Sequence, residues 1–436
     1  MTSTQPTLYD LIRVFWRIGL LSFGGPAGQI ALMHSEMVDR HKWVDEQQFL
    51  HALNFCHLLP GPEAQQLATY IGWRLHGVKG GLVAGLLFLI PGVAVILSLS
   101  VLYAYAAGLD WFAAIFLGIK AAVLAVVLQA LIRIAGRALD TRFKQALAVL
   151  AFVALFFLDL PFPLVVLAAG LAGFGAASLR PDWLNLKAAT ESAPAGAAPS
   201  ILGTVRTVGV WAMVWALPLG IVWALFGPDH VLMDIGLFFS QLAIVTFGGA
   251  YAVLAYMAQE AVQGFGWLNA GEMADGLGMA ETTPGPLILV TQFVGFLAAY
   301  RDAAPFTPLL AGIIGALLTI WVTFAPCFLW IFTFAPWIDR LQSARRLKGA
   351  LAAITAAVVG VIANLSLWFA LHVVFADVGE RRFGPLRLYW PDPGTLDWLT
   401  LGLALMSGLV LLVLKRSVLE TLLLGATLGL AAIAFM

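Results

Sequence analysis

Charge is scarce in this chain. Of 436 residues, 24 are Lys or Arg and 24 are Asp or Glu, 11% together, whereas 61% are apolar. Soluble domains carry about 25% charged residues, so the scarcity excludes an ordinary soluble domain. The formal net charge of zero removes the basic surface that nucleic acid binding requires. Cys56 and Cys327 are the only cysteines; both lie in apolar context and share no metal-ligand spacing, so they read as small core hydrophobes. There is no P-loop lysine motif, no His-Glu-x-x-His and no Gly-x-Ser-x-Gly. Enzyme readings therefore lack a motif, and ATP coupling lacks a nucleotide site. The first ten residues hold no Lys or Arg and no short apolar run follows them, so a cleaved signal peptide is not expected.

What the chain does have is apolar sequence, enough for roughly ten membrane crossings at about 20 residues each. Two stretches organise it, Leu59-Pro60-Gly61-Pro62 and Thr283-Pro284-Gly285-Pro286. In each, two prolines remove two backbone donors and disfavour helix just before them, so a helix has to break there. Within a bilayer, broken backbone is tolerated only where protein or a water-filled cavity satisfies it. A constant offset of 224 residues carries Phe23-Gly24-Gly25 onto Phe247-Gly248-Gly249, Met33 onto Met257, Glu36 onto Glu260, Val38 onto Val262, Trp43 onto Trp267 and Leu53 onto Leu277. The same offset superposes the two Pro-Gly-Pro stretches without a gap. The chain is a tandem duplication.

The expected architecture is an all-α polytopic membrane protein of two homologous halves, residues 1–178 and 231–436, joined by a linker with one unpaired span over 179–230. Each half is expected to open with a segment broken at Phe-Gly-Gly (8–34 and 231–258). A re-entrant pair of short helices around Pro-Gly-Pro (49–75 and 270–300) comes next. Between them, residues 35–48 read as an aqueous polar loop. Spans are expected at 81–107, kinked at Pro91, and at 111–136, 143–158 and 162–178. The Trp-bearing span 207–226 has no counterpart, and the second half continues with 308–335, kinked at Pro326, and 349–374. Residues 377–395 read as a polar loop before a closing pair at 396–414 and 418–435.

Lys and Arg set the expected orientation. Arg40, Lys42, Arg74, Lys79, the group from Arg133 to Lys144, and Arg180, Lys187 and Arg206 assign the first half's loops to the cytoplasm. The second-half loop matching Arg40 and Lys42 contains neither residue type, whereas Arg340, Arg345, Arg346 and Lys348 cluster later. The halves are thereby expected to be inverted-topology repeats with about nine full crossings.

Inverted repeats whose broken helices meet near the midplane are a transporter arrangement. A half-helix that starts after Pro60-Gly61-Pro62 or Pro284-Gly285-Pro286 presents N–H groups and the positive end of its dipole, which favours an anion. Gly24, Gly25, Gly248 and Gly249 offer weaker versions. Nearby, Gln65, Gln66, Tyr70, Thr282, Thr283 and Gln292 can hydrogen-bond an oxyanion, and can equally satisfy backbone freed by proline. Lys120, in the apolar run Ile115–Val123, can attract the anion by charge. His57 and Glu281 occupy matched positions three residues before the first proline, and with Glu63 they are candidate proton carriers. The plainer readings are a structural histidine for His57 and a capping carboxylate for Glu63. No residue is given a catalytic or metal-binding role, and no cofactor is expected.

Phe23-Gly-Gly-Pro26, Trp43, the run Leu58-Leu-Pro-Gly-Pro-Glu-Ala-Gln-Gln-Leu-Ala-Thr-Tyr-Ile-Gly72, Phe247-Gly-Gly249 and Thr282-Thr-Pro-Gly-Pro286 resemble the chromate ion transporter family in its long two-domain form. The likeness covers both repeats and most of the chain outside the linker and the final helices. It implies a secondary carrier in a bacterial inner membrane that exports chromate from the cytoplasm, with resistance as the outcome and proton antiport as the drive. Its implied partners are the chromate anion, protons and the lipid bilayer, with a homodimer left open. Chromate and sulfate are tetrahedral dianions of similar size, so a general oxyanion carrier is the alternative; chromate protonates near neutral pH and sulfate does not. A channel or scaffold, and a membrane-embedded chromate reductase, are the readings from other classes. The second half departs from the first by placing Ala250 for Pro26 and Leu287 for Glu63, so the two half-sites are not chemically equivalent.

Overall fold

The computed structural model describes residues 6–186, 200–247 and 250–433; Gly248, Gly249 and residues 187–199 of the linker, Lys187 included, lie outside it. The first half supplies α1 (Leu8–Leu21), α2 (Gly25–His34), α3 (Glu46–Cys56), α4 (Glu63–Ala106), α5 (Asp110–Ala138), α6 (Arg142–Phe156) and α7 (Phe162–Leu179). Past the linker come α8 (Ile201–Phe226), α9 (Val231–Val245), α10 (Ala250–Gln259), α11 (Ala270–Thr282) and α12 (Val290–Arg301). The chain closes with α13 (Pro308–Phe334), α14 (Ile338–Ser343), α15 (Arg345–Val374), α16 (Trp398–Gly408) and α17 (Val418–Ile433). Six helical stretches are long and apolar enough to cross a membrane: Glu63–Ala106, Asp110–Ala138, Phe162–Leu179, Ile201–Phe226, Pro308–Gln342 and Arg345–Val374. This is an all-α polytopic membrane protein.

Two compact units divide the chain, and each draws on three separate stretches. One comprises Met1–Ser100, Ala188–Ala250 and Thr283–Arg345; the other comprises Val101–Lys187, Tyr251–Thr282 and Arg346–Met436. Each unit thus takes sequence from both copies of the duplication.

In the first unit, local chemistry sets the helix starts. Thr7 and Asp10 form a reciprocal capping box on α1, and Asp45 with Gln48 does the same on α3. Both helices on the N-terminal side of a Pro-Gly-Pro are short, as two half-helices require. The long stretch α4 is interrupted at His76 (φ −136°) and Gly77 (φ 61°), where the chain turns back on itself. Gly72 then lies against Gly80, and Thr69 against Gly81 and Gly85, contacts so close that only small residues fit. The helix after the first Pro-Gly-Pro is therefore one arm of a hairpin, as the sequence leads one to expect. In the same unit α8 exposes Met213, Leu217 and Leu225, as a span facing lipid does.

The duplication is visible in local geometry as well. A single π turn occupies Ser35–Arg40 in the first copy and Glu260–Gly264 in the second. His41 N–H donates to Glu36 O at 3.0 Å, and the matched Phe265 N–H donates to Glu260 O at 2.8 Å. Trp43 N–H reaches Met37 O at 2.9 Å and Trp267 N–H reaches Ala261 O at 2.8 Å, again 224 residues apart. The expected polar loop 35–48 therefore begins as a π turn that continues α2.

In the second unit, α5 packs against α16 and α17, with Gly118 against Gly425 and Gly173 of α7 against Gly349 of α15. Residues 377–395 do not form a loop. They form an antiparallel hairpin, β1 (Val378–Phe383) and β2 (Leu386–Pro391), turned at Gly384 with φ 60°. The ladder closes because Arg387 is buried and anchored: its N–H donates to Phe157 O at 2.6 Å, and its guanidinium meets Leu155 O at 2.9 Å and the Asp159 carboxylate at 2.5 Å. The charges of Glu380, Arg381, Arg382 and Arg387 hid that strand pattern in the sequence.

Candidate functional site

Both Pro-Gly-Pro breaks lie in the first unit. The helix α3 ends at Cys56, and Leu58 N–H and Leu59 N–H then close tight turns onto Phe55 O and Cys56 O. Gly61 takes φ +120°, a conformation that a β-carbon disfavours. Gln66 N–H bonds Pro62 O at 3.1 Å, so the N–H groups of Glu63, Ala64 and Gln65 stand ahead of the helical ladder, at the positive end of the dipole. The second break has the same shape. Gly285 takes φ +96°, and a short 3-10 turn, Leu287–Leu289, leads into α12. The chain here is helical from residue 290, three residues later in the copy than at Glu63.

The breaks are held by each other's halves. Gly61 N–H donates to Thr246 O at 2.8 Å, and Gly285 N–H donates to Ser22 O at 3.0 Å. Ser22 and Thr246 are matched by the 224-residue offset, and each directly precedes a Phe-Gly-Gly. The Gly285 N–H also reaches the Ser22 hydroxyl at 3.1 Å, and Gln29 Nε2–H donates to Gly285 O at 2.6 Å. Ser22, Gln29 and Thr246 are all buried. The expectation that the breaks offer bare N–H groups thus needs refining: the glycine donors are engaged by protein carbonyls, and the donors left to a ligand are those of the helix start.

Side chains expected at the breaks are found there. Gln65, Gln66 and Thr69 are fully buried. The Gln66 amide N–H donates to Pro60 O at 2.6 Å, and the Gln65 amide N–H meets Thr69 Oγ1 at 3.1 Å. Gln292 Nε2–H donates to Val93 O at 3.2 Å. Tyr70 is buried between the rings of Phe55 and Trp73. Thr283 is buried beside Pro284 and Pro286. Gly24 and Gly25 adopt φ +84° and +66° at the start of α2. His57 is half-exposed, with Nδ1 3.7 Å from the largely buried Glu63 carboxylate.

Three candidates belong to the second unit instead. Lys120 on α5 forms an ion pair with the buried Asp275 of α11, Nζ to Oδ1 at 3.3 Å, and Tyr103 O–H donates to the same carboxylate at 2.7 Å. Its charge is met by a fixed anion, which the apolar run around it did not reveal. Glu281 accepts from Tyr251 O–H at 2.8 Å. Thr282 Oγ1–H turns back onto Gly278 O and Met279 O, satisfying its own helix end. Among the described residues no group of His, Cys, Asp and Glu is disposed to hold a metal.

Sequence reading missed Ser22, Thr246, Gln29 and Asp275. The 224-residue offset does align the two hydroxyl residues, which was the available signal for Ser22 and Thr246; nothing local marks Gln29 or Asp275.

Comparison with known proteins adds to this geometry. The chromate transporter family matches residues 9–174 and 233–430. A chromate transport protein of Pseudomonas aeruginosa is 31% identical over 371 residues, 81% of this chain and 79% of that protein. One of Cupriavidus metallidurans is 27% identical over 363 residues, covering 83% and 82% of the two chains. An uncharacterized transporter of Methanocaldococcus jannaschii is 23% identical over 372 residues, 85% and 86% of each. No solved structure is matched by this chain.

Proposed function

This chain belongs to the chromate transporter family, and we propose that it is a secondary active carrier that exports chromate from a bacterial cytoplasm across the inner membrane in exchange for protons, with resistance as the outcome. The observation that supports the reading is the crossed pair of breaks, Gly61 on Thr246 and Gly285 on Ser22. A bundle that only spans a bilayer has no use for two duplicated, buried interruptions, whereas a carrier needs non-helical backbone where it lines a path. The anion would bind at the start of α4, where the N–H groups of Glu63, Ala64 and Gln65 converge with the helix dipole. The His57–Glu63 pair would carry a proton, with Glu281 and Tyr251 as a second station. Residues 1–178 and 231–436 would be the repeats of opposite topology.

Chromate uptake into everted membrane vesicles, with and without a proton gradient and with excess sulfate, tests this. Gradient-driven accumulation that survives sulfate supports a proton-coupled chromate exporter. Loss of accumulation under sulfate points to a general oxyanion carrier, and no accumulation at all removes the transport reading.

A further inference from the structure

We propose that the first break takes its oxyanion in the monoprotonated form, hydrogen chromate, and that the side-chain carbonyl of Gln66 is the acceptor that selects it. The inference rests on the transport reading above and names the species transported.

Gln66 lies in the first turns of α4, fully buried, and its side chain folds back over the break. A β-carbon placed on Gly61 would lie 2.8 Å from Gln66 Nε2. That nitrogen donates to Pro60 O at 2.6 Å. A backbone carbonyl can only accept, so the NH2 end of the amide must face it and the orientation of the side chain is fixed. Its Oε1 is buried and accepts no hydrogen bond from the protein. The second break repeats the arrangement with other residues: Gln292 and Gln29 give their amide N–H groups to Val93 O and Gly285 O, and both keep a buried Oε1 without a donor. Gln65 Oε1 is also buried without a donor. Its amide meets a hydroxyl, which can donate or accept, so its orientation is not fixed in the same way.

The break therefore offers two kinds of group. N–H groups at the start of α4 suit bare oxyanion oxygens. A buried carbonyl beside them repels a bare oxygen and needs an O–H. Sulfate near neutral pH has four bare oxygens; hydrogen chromate has one O–H and three oxo groups. A buried acceptor that only one of two near-isosteric anions can satisfy is an effective means of discrimination, because the wrong ligand leaves it unpaired. The titratable protein groups around Gln66 are Glu63 on its own helix, Cys56 and His57 before the break, and Cys327 on α13. The group that must hold a proton for binding is the substrate itself.

The experiment is downhill chromate flux into everted vesicles of the full-length protein, with ionophores holding both gradients at zero, between about pH 8 and about pH 6, with and without sulfate. For the wild type, flux at fixed total chromate is expected to rise at least about threefold on acidification, following the protonated fraction, and to resist sulfate. Gln66→Met keeps the length and buried volume but removes the carbonyl; it retains His57 and Glu63. It is expected to lose the acid dependence and to become sensitive to sulfate. The inference is overturned by wild-type flux that is flat or falls on acidification, by equal competition from sulfate, or by a Gln66→Met protein present at normal level with an unchanged profile. Should that variant fail to reach the membrane, the wild-type series decides alone. Absence of chromate flux at every pH would overturn the transport reading itself.

Discussion

Gly61 N–H donates to the carbonyl of Thr246 at 2.8 Å, and the copy of that contact 224 residues away joins Gly285 to Ser22 at 3.0 Å. Each half completes the broken backbone of the other. Both breaks must therefore be assembled together, and neither half can satisfy its own. The consequences can be measured.

Alanine at either glycine is expected to cost at least about tenfold in chromate flux, since a positive φ strains a non-glycine residue by about 1–3 kcal/mol. The two sites should differ in degree. A β-carbon on Gly61 would meet Gln66 Nε2 at 2.8 Å and Cys327 Sγ at 2.9 Å, side chains that can shift, whereas one on Gly285 would lie 3.3 Å from the Gly92 backbone. Gly285→Ala should be the worse of the two, and Gly136→Ala, with open space around it, should be silent. Flux normalised to the amount of protein in the membrane checks all three.

Removal of one member of the Lys120–Asp275 pair strands the other in an apolar interior. Asp275→Asn is expected to destabilise the protein toward the lower end of about 3–5 kcal/mol, since the Lys120 side chain is 24% exposed. The double variant Lys120→Met with Asp275→Asn should recover part of that loss. Thermal unfolding in detergent of the two single variants and the double one measures the coupling.

Proton coupling and anion passage should separate. His57→Gln and Glu281→Gln are each expected to reduce gradient-driven chromate accumulation severalfold while downhill flux persists. Parallel assays in the same vesicles, energised and de-energised, read the two quantities; equal accumulation in wild type and both variants would remove these residues from the proton path.

Arg387→Lys should release the hairpin. Lysine keeps the charge opposite Asp159 but not the guanidinium contacts with Leu155 O and Phe156 O. Faster proteolytic cleavage between residues 378 and 391, with the helical circular dichroism unchanged, is the expected result.

The loop between α5 and α6 carries a small pH-dependent contribution. Burial pushes the Asp140 carboxyl up, but hydrogen bonds from Lys144 and Asn185 outweigh it and hold the carboxyl below its ordinary range. Because the folded value lies below the unfolded one, the stabilisation is complete above the ordinary carboxylate range and is lost as pH falls through the folded value. Its size should be well under about 1 kcal/mol, since the carboxylate is 38% exposed. Asp140→Asn should flatten that part of a melting-temperature profile taken against pH.

The sequence by itself determined the features that depend on local covalent chemistry. Apolar composition settled the solvent of the chain, a missing N–H at each proline settled where helices stop, and the fixed offset settled that there are two copies. Helix positions followed closely, down to the hairpin turn at Gly77. Only the tertiary structure decided which group satisfies which. Gly61 and Thr246, or Lys120 and Asp275, lie far apart in the chain, and no local periodicity records that one carbonyl or carboxylate will meet one donor. The strand pair around Arg387 was hidden for the same reason, because its anchor, Asp159, sits on a distant turn. A break in a helix is a property of the residues that form it; what fills the break is a property of the packing around it.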